Sequence, residues 1–369
     1  MIIISILITL SYLILIGRFI YGFNKIETFK FKNSPPKTRF SIIIPFRNEA
    51  ENLPNLLKSI EHLNYHKLLF EVFLVDDESE DNSLEVIVKS GVDVITIPNK
   101  RETNSPKKDA INTAIGFAKN EWIITTDADC ILPKFWLENF DNYIQNKTID
   151  AVVAPVMYKS ENSFLNQFQN LDALSLQGAT IGGFGLNQPF LCNGANFAYK
   201  KSVFNEIDGF KGNENIASGD DIFMLDKLLK ANKTIGYLKS KHAIVKTKAQ
   251  TSWTNLISQH VRWAAKTSAY NNKFGKITGL IVLLMNALIV VSILLTILKL
   301  LNPFVLVSAV AIKTIVDFIL LNKTASFFNK KNILKQYTLS FLPYSFFSVF
   351  VAIKAIFGGY TWKKREFKK

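Results

Sequence analysis

Cysteine is nearly missing: there are two thiols, Cys130 and Cys192, in 369 residues. Both sit on apolar stretches without a metal-type spacing. That argues against a disulfide-built fold or a zinc site, and both read as core thiols of a protein in a reducing compartment. No Gly-x-Gly-x-x-Gly turn follows the first predicted strand and no Walker-type Gly-Lys-Ser/Thr is present, which speaks against a dinucleotide or P-loop cofactor. There is no internal repeat and no low-complexity linker, and Asn33-Ser-Pro-Pro36 is the only hinge-like stretch. Charge is also missing over long runs. Ile2 to Gly17 has none before Arg18, and Ile277 to Leu298 has none at all.

Those two runs are near bilayer length, and 48% hydrophobic residues is high for a soluble protein. Leu300 to Leu321, interrupted by Lys313 and Asp317, and Gln336 to Ile353, containing Pro343, are weaker candidates, because charge and proline inside a span need compensation. Lys313 and Asp317, four apart, read as an ion pair first and a headgroup contact second. The first run lacks basic residues before its apolar core and a small-x-small site behind it, so it reads as a retained anchor. Arg18, Lys25, Lys30, Lys32, Lys37 and Arg39 follow it. Positive flanks stay cytoplasmic, so the segment between the first two runs is expected on that side. The basic tail Lys363 to Lys369 fits this poorly if all four runs span, which leaves two or three C-terminal spans open. The net charge of +14 fits membrane lipids better than nucleic acid, because many basic residues flank apolar runs.

Between the anchor and the second run, short apolar runs alternate with helical ones. Phe40 to Pro45, Phe70 to Val75, Val92 to Ile97 and Trp122 to Thr126 read as strands. Asn48 to Leu63, Asn82 to Lys89 and Lys107 to Lys119 read as helices. This rhythm predicts an α/β domain with a mainly parallel sheet and right-handed crossovers. Ligands of such sheets bind outside the carboxyl ends of the strands. Three strands end in polar groups: Pro45-Phe-Arg-Asn-Glu49, Asp76-Asp77 and Asp127-Ala-Asp129. In extended chain, residues two apart point the same way, so Asp127 and Asp129 can aim at one divalent cation, Mg²⁺ or Mn²⁺. Each group also has a plainer reading. Asp127-Ala-Asp129 is equally a polar turn that caps a helix near Pro133, Asp76 and Asp77 a turn with Asp81 capping the next helix, and Asn48 and Glu49 a helix start.

Seven stretches then fall in order: Ser41-Ile-Ile-Ile-Pro-Phe-Arg-Asn-Glu-Ala50, Val75-Asp-Asp-Glu-Ser-Glu-Asp81, Lys107-Lys-Asp-Ala-Ile-Asn112, Asp127-Ala-Asp129, Asn193-Gly-Ala-Asn-Phe-Ala-Tyr199, Gly219-Asp-Asp-Ile-Phe-Met-Leu225 and Gln259-His-Val-Arg-Trp263. Together they resemble the membrane-bound family 2 glycosyltransferases of GT-A fold, similar to ceramide glucosyltransferase-like and polysaccharide synthase-like enzymes. The resemblance implies an anchor over 1–23, a GT-A domain over 37–252, an amphipathic interface helix with the Gln-x-x-Arg-Trp motif over 253–272 and a C-terminal transmembrane region over 277–358.

By that resemblance Pro45, Glu49, Asp76 and Asp77 hold the nucleoside of a nucleotide sugar, with a UDP-sugar the expected donor. Lys107 lies along the nucleotide, although Pro106 replaces the family's glycine before it. Asp127 and Asp129 bind the metal that neutralises the leaving diphosphate, with Asp127 also lining the donor site. Asp220 and Asp221, where the family has Glu-Asp, take the catalytic position. Asp221 is the expected general base of an inverting displacement, and Asp220 stands beside the acceptor. Without the resemblance, both acids are ordinary helix-start residues after Ala217-Ser-Gly-Asp. Gln259 and Arg262 would face the diphosphate and Trp263 the acceptor sugar; a plain amphipathic helix on the membrane surface gives the same spacing. His242 is a candidate third metal ligand, though a lone histidine is more often core or surface.

The expected activity is therefore a hexosyltransferase-type enzyme, metal-dependent, acting on a lipid or lipid-linked acceptor. A processive polysaccharide synthase subunit is the alternative, and a non-catalytic membrane scaffold on a degenerate GT-A domain the alternative of another class.

Overall fold

The structure is a computed structural model that describes residues 2–32, 34–214, 216, 218–266, 271–357, 360–362 and 365–367, the last two by backbone only. Asn33 of the expected hinge, Ala217 of the turn before Asp220, and Lys363, Lys364, Lys368 and Lys369 of the basic tail lie outside the described residues. In chain order the elements are α1 (Ile2–Lys25), β1 (Phe40–Phe46), α2 (Leu53–Glu61), β2 (Phe70–Asp76), α3 (Ser83–Ser90), β3 (Ile95–Pro98), α4 (Pro106–Phe117) and β4 (Trp122–Thr125). There follow α5 (Trp136–Gln145), β5 (Ala151–Val153), β6 (Val156–Tyr158), α6 (Phe164–Gly185), β7 (Phe197–Lys200), α7 (Lys201–Glu206), α8 (Asp220–Lys230), β8 (Ile235–Tyr237) and β9 (Val245–Thr247). The chain continues through α9 (Trp253–Ala265), α10 (Lys273–Ile297), α11 (Pro303–Phe327), α12 (Tyr337–Phe357), β10 (Tyr360–Trp362) and β11 (Arg365–Phe367).

Two compact units emerge. One comprises residues 27–159 and 191–248 and holds the seven-stranded sheet, in the order β3-β2-β1-β4-β7-β5-β8. The left half is parallel as expected, with β1 between β2 and β4. The right half is mixed, because β7 runs antiparallel to both β4 and β5. The fold is thus a GT-A-like mixed, mostly parallel sheet flanked by helices. β1 is a continuous apolar run because both its faces are covered, and Phe40, Ile42, Ile43 and Ile44 are fully buried. One face of the sheet packs on Leu53, Leu56, Leu57 and Ile60 of α2 and on Trp136, Leu137 and Phe140 of α5. Helices begin late in this unit. Asn48 takes a left-handed φ of 53° and α2 starts only at Leu53, ahead of Pro54, and α5 starts at Trp136, three residues past Pro133.

The other unit gathers residues 1–26, 160–190 and 249–369 and is helical. The expected domain over 37–252 is therefore interrupted: 160–190, mostly α6, folds with the apolar helices. Close backbone approach explains why. A Cβ on Gly22 of α1 would stand 2.1 Å from the carbonyl oxygen of Gly182, and one on Gly185 would stand 1.9 Å from that of Gly22. Small residues let apolar helices pack backbone to backbone. Among the described residues, four helices are long and apolar enough to cross a membrane: Ile2–Lys25, Lys273–Ile297, Pro303–Phe327 and Lys331–Phe357. Pro343 is accommodated inside α12 without ending it.

Candidate active site

The strand-built unit brings several predicted residues to the carboxyl ends of its central strands. β4 stops at Thr125, and Asp127 and Asp129 occupy a turn in which the Cys130 amide donates to the Asp127 carbonyl at 3.1 Å. The expected extended geometry is thus replaced by a turn, yet carboxylate oxygens of both residues and the Cys130 sulfur lie within 4.8 Å of one another. Asp129 also accepts from the Thr247 hydroxyl at 3.1 Å. Burial, followed by the negative charges of Asp127 and Glu49, pushes the Asp129 carboxyl up to about 6. Glu49, whose Oε2 accepts from the Asn52 side-chain amide at 2.6 Å, therefore belongs to the same charge cluster.

Two carboxylates close together, Asp129 among them raised in proton affinity, suit a hard divalent cation that takes its remaining ligands from phosphate and water. The Cys130 thiol does not join them. Burial, then the charges of Asp129 and Asp127, pushes its ionisation well above the ordinary range, and a neutral thiol is a poor ligand for Mg²⁺ or Mn²⁺. His242 is exposed and packs edge-on against Phe135 with centroids 5.8 Å apart. It stands outside the cluster, as a lone surface histidine does. Cys192, expected in the core, is only half-buried.

Lys107 links this turn to the amino end of α8. Its Nζ lies 2.8 Å from Asp127 Oδ1 and 3.2 Å from Asp220 Oδ2. Burial opposes its charge, but the carboxylates of Asp127 and Asp220 outweigh that and hold its pKa above the usual lysine range. Gly219, at φ 86°, turns the chain into α8 so that Asp220 and Asp221 fall in its first turn, where the helix end favours negative charge. The amide of Gly194 donates to Asp221 Oδ2 at 3.0 Å. A Cβ on Gly194 would come within 2.7 Å of Asp220 Oδ2, so a side chain there would push the Asp220 carboxylate aside. Asp220 is buried, whereas Asp221 is half-buried and the more accessible of the two.

Asp77 is held on the β2–β3 side. Its Oδ1 accepts from Arg101 Nε at 2.6 Å and Asn99 Nδ2 at 2.8 Å, and its carbonyl from Arg47 at 2.8 Å. Asp76 Oδ1 instead accepts from the Ser79 amide at 3.0 Å, inside its own turn. Pro45 is half-buried in β1, opposite Val75. Asp81 takes the Ala50 amide on one oxygen and the Ser83 amide on the other, at 3.0 Å each, so it ties two loops together. Sequence reasoning missed Asn99 and Arg101, although the strand-end rule, applied to β3, points straight at them. Gln259, Arg262 and Trp263 lie on α9, in the helical unit. That helix is started by Ser252, whose side chain accepts from the Asn255 amide.

Residues 41–208 match the family described as Glycosyl transferase family 2. Residues 41–208 are thus the part of the chain that is similar to a glycosyltransferase family 2 domain, and the chain is an enzyme of the glycosyltransferase class. It is similar to an uncharacterized glycosyltransferase of Mycoplasma genitalium, 27% identical over 206 residues, 55% of this chain and 67% of the relative. It is also similar to the poly-beta-1,6-N-acetyl-D-glucosamine synthases of Staphylococcus aureus, 28% identical over 36% of this chain and 32% of the synthase, and of Staphylococcus epidermidis, 26% identical over 61% and 53%. The matched part thus spans about a third to about half of those synthases. Among solved structures, a mannosyltransferase from Pyrobaculum calidifontis in complex with GDP-Man and Mn²⁺ superposes with a TM-score of 0.57 and 17% identity, covering 96% of this chain and 99% of that one. At that identity the likeness concerns the fold.

Proposed function

We propose that the chain moves a sugar from a nucleotide-sugar donor, with inversion, to a lipid or lipid-linked acceptor at the cytoplasmic face of a membrane. The observation that carries this reading is the contact of Lys107 with Asp127 and Asp220, acids almost a hundred residues apart in sequence, on one rim with Asp129 and Asp221. Mg²⁺ or Mn²⁺ held by Asp127 and Asp129 would supply counter-charge to the leaving diphosphate. That the mannosyltransferase of similar fold was solved with GDP-Man and Mn²⁺ supports this donor chemistry.

In this reading Asp77, braced by Arg101 and Asn99, accepts a hydrogen bond from the nucleoside, with Asp76, Pro45 and Glu49 beside it. Lys107 offers its ammonium to the diphosphate. Asp221 takes the proton of the acceptor hydroxyl as that oxygen bonds to the anomeric carbon. The bond from that carbon to the diphosphate oxygen breaks, and the diphosphate leaves with the electron pair. Asp220, buried against Lys107, fixes the geometry of the pair. Gln259 and Arg262 keep the diphosphate role and Trp263 the acceptor role that the resemblance gives them.

The cytoplasmic side follows from the basic residues after α1, and the four apolar helices suit an enzyme that meets its acceptor in the bilayer. The similarity to poly-beta-1,6-N-acetyl-D-glucosamine synthases favours one second reading, a subunit of a processive synthase. Detergent-purified protein incubated with nucleotide sugars, Mn²⁺ or Mg²⁺ and extracted lipid decides between them. A singly glycosylated lipid supports the first reading, a ladder of polymer the second, and no transfer or donor hydrolysis with any donor overturns both.

A further inference from the structure

Lys108, next to Lys107, takes no part in the chemistry above, yet it is 1% exposed. A buried ammonium is tolerated only where its protons are all used. Consecutive helix residues point about 100° apart. Lys107 therefore reaches the acid rim, while Lys108 reaches the segment that leads from α7 into α8. Its Nζ donates to the carbonyls of Asn213 at 2.7 Å and Ile216 at 3.0 Å, and it lies 4.7 Å from the ring centroid of Phe223 in α8.

That segment holds an unusual density of left-handed backbone: Asp208, Gly209, Gly212 and Gly219 all have positive φ. Such a path has few helix or sheet partners for its carbonyls, and lysines supply them. Lys227 of α8 caps the carbonyls of Ile207, Asp208 and Gly209 at 3.0, 3.2 and 2.7 Å. Lys227 ties the start of the segment to the helix that follows it. Lys108 ties the end of the segment to a different element, the helix that carries Lys107. The path to Asp220 is thus referenced to the same helix that contacts Asp220 through Lys107.

We propose that Lys108 is a positioning residue for the catalytic acids: it clamps the approach to α8 against α4 and so sets where Asp220 and Asp221 stand relative to Lys107 and the Asp127 turn. The proposal rests on the glycosyltransferase reading for its kinetic consequence. Lys108 touches neither donor nor acceptor; it acts through the backbone.

The test compares wild type with K108M, which keeps the stem and removes the ammonium, and K108R, which restores charge and donors. For each, kcat, donor KM and amide hydrogen exchange across 207–219 are measured. K108M is expected to lower kcat about 10- to 100-fold, as a displaced catalytic group does. Donor KM stays within about twofold, because the nucleoside side is untouched. Exchange across 207–219 rises while that of β7 is unchanged, and K108R regains most of both losses. If K108M does not fold, K108Q is read in the same way. Unaltered kcat, or a loss that appears in donor KM, or unaltered exchange overturns the proposal. If wild type itself transfers no sugar, the functional reading has failed, and the exchange measurement alone still decides whether Lys108 holds the segment.

Discussion

The helical unit and the acid rim of the strand-built unit treat carboxylates differently. In the helical unit buried Asp172 and half-buried Asp317 each have donors on both oxygens. Asp172 accepts from His260 and Tyr344 at 2.9 Å each, and Asp317 from Tyr12 at 2.6 Å and from Lys313. On the rim of the strand-built unit, carboxylates are crowded together instead, and burial, followed by the charges of Asp127 and Glu49, raises the proton affinity of Asp129. Groups satisfied by one another hold helices together. Like charges crowded at one point cost stability, and under the proposed function a cation and a diphosphate would offset that cost.

If that contrast is right, damage on the two sides shows up in different measurements. The largest effect is expected from Asp221→Asn. Removing a general base lowers kcat about 10²- to 10⁴-fold, with little change in the melting temperature. A parallel loss of stability would return Asp221 to a structural role. Gly185→Ala is the mirror experiment. Its new methyl meets the backbone of Gly22, which cannot swing away as a side chain can, so about 1–3 kcal/mol of stability is lost while kcat per folded molecule is kept. Thermal unfolding in detergent, with activity normalised to folded protein, separates the two outcomes.

A smaller effect concerns Asp129 and pH. A carboxyl raised to about 6 in the folded state binds its proton more tightly than in the unfolded chain, so its stabilising contribution is present in acid and is lost as pH rises through 6. Asp129→Asn removes that loss. Without divalent cation the variant is expected to be more stable than wild type at pH 7 by of order 1–2 kcal/mol, the gap closing toward pH 4. Denaturation curves at the two pH values check this, and a gap that widens in acid would contradict it. The smallest effect is His242→Ala, which should change Mn²⁺ dependence less than about twofold, because the ring is exposed and outside the carboxylate group.

The left half of the sheet was legible in the sequence because β1, β2 and β4 are largely buried and read as apolar runs interrupted only by Ser41 and Glu71 before their polar ends. The acids after β1, β2 and β4 were legible because the rule for parallel sheets converts strand ends into one rim, whereas Asp220 and Asp221, at a helix start, were reached only through the family resemblance. The antiparallel β7 was not legible, since four residues, Phe197 to Lys200, carry no sign of direction. Nor was the membership of α6. Its glycines look like poor helix formers when read alone, and their value appears only once the backbone of α1 lies against them. Lys108 was hidden for a related reason: two adjacent lysines look alike in sequence, and only the fold sends one to the acids and the other to backbone carbonyls.

The central claim is that the Asp127–Asp129 turn is built to receive a divalent cation together with a diphosphate. Titration calorimetry of Mn²⁺ into the purified protein with a nucleoside diphosphate present tests it directly. Wild type should bind the cation, and Asp127→Asn and Asp129→Asn should each weaken that binding by tenfold or more, corresponding to about 1.4 kcal/mol. Equal binding by all three proteins would contradict the account.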